Sequence, residues 1–128
     1  QRIGDDTSGR EWSRTRKMGV NTLAFRLPQH GTLFAADADC VPVTKDIPWE
    51  LTRQWLDLVV RSATTLFVSA DPAALGDRER AALKAAFAEA ARPHPGIEPL
   101  DWFETTMPSR WSGPAGPVRF DWHAGDVD

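Results

Sequence analysis

The regular alternation of apolar and polar positions is clearest in the middle of the chain. Leu51, Trp55, Leu58 and Val59 fall at i, i+4, i+7 and i+8 and define one apolar helical face. Pro48 suits the first turn, where a missing N–H costs nothing, so the spacing predicts a helix over 48–62. Thr65-Leu66-Phe67-Val68-Ser69 follows, apolar at both alternating sets of positions, as in a parallel strand covered by helices. Asp71-Pro72 and Gly76-Asp77 punctuate the next loop. An Ala-rich segment over 78–92 then reads as a helix capped by Asp77, with Leu83, Phe87, Ala90 and Ala91 on its inner face. Pro93 and Pro95 stop it.

Upstream the pattern is less regular. Residues 2–10 are polar and rich in Gly, Asp and Ser, a loop composition. A helix over 12–27 is predicted, with Met18, Leu23, Phe25 and Leu27 as its apolar surface and Pro28 as its end. Thr32-Leu33-Phe34-Ala35-Ala36, bounded by Gly31 and Asp37, suits a buried strand, with Asp37-Ala38-Asp39-Cys40 at its carboxyl end. The order helix, strand, helix, strand, helix predicts an α/β fold with parallel strands. Two strands make a poor independent sheet, so the pattern suggests a piece of a larger parallel sheet or barrel. Residues 1–92 form this part. Residues 93–128 hold six of the ten prolines and read as an extended tail or connector.

Composition narrows the function classes. Of the 128 residues, 41% are hydrophobic and 26% charged, an ordinary globular balance. The net charge of −3 offers no electrostatic footprint for nucleic acid or an anionic membrane. No run approaches the roughly 20 apolar residues that span a bilayer. The single cysteine, Cys40, excludes an internal disulfide framework and a multi-cysteine metal site, and slightly favours a reducing, cytoplasmic compartment. No cofactor motif is present: no phosphate-cradling Gly-rich loop opens a helix, and no Gly-x-Ser-x-Gly elbow occurs.

In parallel α/β folds, functional residues gather at the carboxyl ends of strands. Three polar clusters are candidates for that rim: residues 2–7, residues 37–40 and residues 69–71. Asp5 and Asp6 could work as general acid or base beside Arg2, or could merely form turns and cap the next helix. Asp37 and Asp39 could bind a sugar hydroxyl or a cation, or could serve their own loop. As a metal site they lack the remaining ligand spacing. Trp102, Trp111 and Trp122 could stack on sugar rings or pin the tail onto the body. The large apolar area of each indole favours pinning.

Arg2-Ile3-Gly4-Asp5-Asp6-Thr7 resembles the segment around the acid/base aspartate of melibiase-type retaining α-galactosidases (glycoside hydrolase family 36). There the pattern is approximately Arg-hydrophobic-Gly/Ser-Pro-Asp-Thr/Val. Residues 33–40, Leu-Phe-Ala-Ala-Asp-Ala-Asp-Cys, are similar to that family's Leu-Trp-x-Asn-Asp-Pro-Asp-Cys segment. Residues 66–72, Leu-Phe-Val-Ser-Ala-Asp-Pro, resemble its Pro-Leu-hydrophobic-hydrophobic-Ser-x-x-Pro strand. The three occur in the family's order and approximate spacing, over residues 1–72. The resemblance implies the C-terminal portion of a (β/α)8 TIM barrel, about strands six to eight with their helices, and a tail running toward a C-terminal β domain. It implies a glycosidase acting on an α-galactoside or a related carbohydrate. Asp6 would be the general acid/base, and Arg2, Asp5, Asp37 and Asp39 would contact substrate. Asp5 stands where the family commonly has Pro, and Ala36 and Ala38 replace its Asn and Pro, marking a divergent member. The family's nucleophile lies in a Lys-x-Asp segment without counterpart here, since Lys45-Asp46 has the wrong spacing. The nucleophile would lie outside this chain, and the sheet would be completed by the rest of the barrel or by another chain. The rival reading is a non-catalytic α/β module that binds carbohydrate or protein.

Overall fold

The computed structural model describes residues 11–26, 37–92, 95–101, 103–114 and 116–123. Its elements follow the predicted alternation. A helical run opens with α1 (Trp12–Arg14), passes through a π-helical segment (Thr15–Val20) and ends in α2 (Asn21–Arg26). Strand β1 (Asp37–Val43), helix α3 (Trp49–Arg61), strand β2 (Thr65–Ala70) and helix α4 (Asp77–Ala90) follow. A short 3₁₀ turn, Pro72–Ala74, links β2 to α4. The fold is thus mixed α/β, without a closed barrel among the described residues.

Helix α3 lies at the centre because its apolar face is continuous. Trp55, Leu58 and Val59 are fully buried, and Leu51 and Leu56 nearly so. The helix ends as its sequence demands: Ser62 N–H donates to the Leu58 carbonyl, and Ser62 Oγ donates to Val59 O at 2.7 Å. The chain then turns through Ala63, whose φ of 59° lies in the left-handed region. The preceding helical run comes very close to α3. A Cβ added to Gly19 would stand 3.0 Å from the Trp55 ring, so the absence of a side chain is what admits the indole.

Strands β1 and β2 pair in parallel, with Cys40 opposite Phe67 and Val43 opposite Ala70. The register is irregular between Asp37 and Cys40. Val41 and Val43 are buried, whereas β2 alternates exposed positions with the partly buried Leu66, Val68 and Ala70, and Phe67 is 50% exposed. Helix α4 meets α3 through Ala82, Leu83 and Ala86, which are only partly buried. The inner face expected for α4 is corrected here: Phe87 is 47% exposed and Ala91 is exposed. An Ala-rich helix presents too little apolar volume for its sequence to choose which face is covered.

Two further expectations change. Residues 37–40, expected beyond a strand's carboxyl end, are the first four residues of β1. The strand expected over 32–36 lies outside the described residues. The segment expected as an extended tail contains a three-stranded antiparallel sheet, β3 (Glu98–Pro99), β4 (Arg110–Gly113) and β5 (Gly116–Arg119). Gly116, at φ +103°, allows the tight β4–β5 connection. Trp111 is fully buried, and Trp122, Phe120 and Ile97 join the same core as α3. The pinning role of Trp111 and Trp122 is therefore the one observed. Trp102 lies outside the described residues.

Three of the indoles, those of Trp12, Trp111 and Trp122, also satisfy their N–H groups, whereas the buried Trp55 Nε1 has no hydrogen-bond partner among the described residues. Trp111 Nε1 and Trp122 Nε1 both donate to the Pro108 carbonyl, at 2.9 and 2.7 Å. Trp12 Nε1 donates to the Trp122 carbonyl at 2.7 Å, tying α1 to the segment after β5. Gln54 on α3 clamps the same segment twice: its Nε2 donates to Asp121 O at 2.9 Å, and its Oε1 accepts from Asp121 N–H at 2.6 Å. Asn21 adds a bond to the Thr106 carbonyl.

Candidate functional site

The carboxyl ends of β1 and β2 form the edge where a parallel α/β unit presents functional groups. Here that edge carries Thr44, Lys45 and Asp46 after β1, and Asp71 after β2. Asp71 N–H donates to the Val43 carbonyl at 2.8 Å, closing the edge. Its Oδ1 accepts from Ala73 N–H at 3.0 Å and so holds the 3₁₀ turn. Asp71 thus serves the backbone.

Beside it lies a depression of about 240 Å³ whose lining includes Thr44, Lys45, Trp49, Thr52 and Glu79. Glu79 reaches there because Gly76, not Asp77 as expected, caps α4: Glu79 Oε2 accepts from Gly76 N–H at 3.1 Å, fastening the first turn. The Arg78 guanidinium, bonded to Glu79 Oε1, holds this carboxyl below the ordinary carboxylate range, and the Gly76 N–H adds to the effect. Glu79 therefore offers a fixed negative charge and is a poor proton donor near neutral pH.

A second, larger cleft of about 630 Å³ opens on the antiparallel unit, with Asp101, Glu104, Ser109, Arg119, Asp121 and His123 along it. Asp101 is buried and accepts three hydrogen bonds, from Ser109 N–H, Ser109 Oγ and Arg110 N–H, each at 3.2 Å. It organises the loop that returns to β4. Glu104 accepts from Arg110 Nη2 at 3.1 Å, and Asp121 accepts from His123 N–H at 3.1 Å. Arg16, from the π-helical segment, donates through Nη1 to His123 Nδ1 at 2.8 Å and to Trp122 O at 3.2 Å.

The sequence-derived residues are distributed differently. Arg2, Asp5 and Asp6 lie outside the described residues. Asp37 and Asp39 sit at the amino end of β1, with Asp37 opposite Thr65 at the start of β2. Asp71 stands at the opposite end of the pair, about 20 Å away at the usual rise of a strand. The fold therefore does not bring Asp37 and Asp39 to the edge that Asp71 occupies. Sequence reasoning missed Thr44, Lys45 and Glu79, although the two valines at 41 and 43 immediately before Thr44 and Lys45 are a strand-like signal. It also missed the Asp101 cleft, because that cleft depends on pairing between distant segments.

Among the described residues, no group of three or more His, Cys, Asp or Glu side chains is placed to hold a metal ion. No described helix is long and apolar enough to cross a membrane. No protein-family model matches the chain, and no curated protein or solved structure shows significant similarity to it.

Proposed function

We propose that the chain is part of the (β/α)8 barrel of a retaining α-glycosidase of the α-galactosidase type. The observation that carries this reading is the parallel β1–α3–β2 unit with α4 after it, left uncovered on its outer side. Parallel strands are found with both faces covered, and two strands alone are marginal. Here β2 pairs only with β1 among the described residues, and Phe67 and Phe87 stand half exposed. Neighbouring β/α units of a barrel, or another chain supplying them, would cover this side.

In this reading Asp6 protonates the glycosidic oxygen as the bond to the anomeric carbon breaks. A carboxylate from another part of the barrel, about 5 Å from Asp6, attacks that carbon and forms the glycosyl intermediate. Asp6 then removes a proton from water, which displaces the carboxylate with net retention. Arg2 and Asp5 hold sugar hydroxyls, whereas Asp37 and Asp39, at the amino end of β1, stand away from the rim where a barrel binds its substrate.

The test uses the full native polypeptide and a panel of aryl α-glycosides. Asp6→Asn should lower turnover of substrates with poor leaving groups by about 10²–10⁴-fold, the usual worth of a general acid/base. Substrates with activated leaving groups should lose far less in the glycosylation step. The first-formed sugar should keep the α configuration by NMR. Undiminished turnover in Asp6→Asn with loss in Asp5→Asn would move the role by one residue. Inversion at the anomeric carbon, or no hydrolysis of any α-glycoside by folded protein, would overturn the proposal.

A further inference from the structure

We draw no further inference here: the strongest candidate, the cleft on the antiparallel unit lined by Asp101, Glu104, Arg119, Asp121 and His123, carries nothing because Asp101, Glu104 and Asp121 are each engaged by Ser109, Arg110 or the His123 backbone and no second observation there points to a ligand.

Discussion

The parallel β1–α3–β2–α4 unit and the antiparallel β3–β4–β5 unit solve the problem of burial in opposite ways. The antiparallel unit has short strands and a Pro-rich sequence, yet it is anchored on several sides. Trp111 and Trp122 are buried, their N–H groups share one carbonyl, and α1 and α3 reach across to bond the chain at 121–122. The parallel unit has stronger local propensity but covers only its inner side, through α3. Its outer strand and outer helix retain exposed aromatic rings. Regular secondary structure and completed packing are thus separate properties. A short strand bearing a well-placed Trp can be more firmly held than a longer strand that, among the described residues, is paired on one side only.

This contrast can be broken most forcefully at Trp122. Replacing a buried Trp with Ala costs about 3–5 kcal/mol, so Trp122→Ala should abolish or severely weaken cooperative unfolding in a urea titration. A loss below about 1 kcal/mol would mean that the antiparallel unit is not anchored as described. Next is Gly19→Ala. Its new Cβ meets the fully buried Trp55 ring, and overpacking of this kind costs about 1–3 kcal/mol. Thermal unfolding should show a lower midpoint for Gly19→Ala than for the unchanged chain, and a lower one still for the bulkier Gly19→Ser; an unchanged or raised midpoint in Gly19→Ala would show that the Trp55 ring is not held against this glycine.

Phe67 sharpens the comparison from the other side. In this chain Phe67→Thr should cost less than about 1 kcal/mol, because half of the ring is already in water. If neighbouring β/α units cover β2 in the full polypeptide, the same substitution should cost about 2–4 kcal/mol there, as for a buried aromatic. Equal small losses in both contexts would count against the barrel reading. The smallest effect is expected at Ala63. Glycine relieves the left-handed strain of about 1–2 kcal/mol but loses part of it to chain entropy, so Ala63→Gly should stabilise by about 0.5 kcal/mol. A lower denaturation midpoint in Ala63→Gly would show that the turn is not held in that conformation.

The sequence by itself determined α3, β2 and the span of α4. Their signals are local: four apolar residues on one helical face, a short β-branched and aromatic run, and an Ala-rich segment bounded by Gly76 and Pro93. It also indicated that strands would pair in parallel across α3, since alternating strand and helix leave little other topology. The proposed catalytic residues were legible only as a motif at residues 2–7, not as geometry. Tertiary structure decided what local preference could not. Asp37-Ala38-Asp39-Cys40 is a weak strand sequence, and it becomes the start of β1 through pairing with β2. Phe87 is a large apolar residue, yet it faces solvent because α3 meets α4 along its alanines. The prolines after residue 92 suggested a tail, while the indoles among them folded it back. Their burial depends on partners such as Trp12 and Gln54, which are distant in the chain and adjacent only once it has folded.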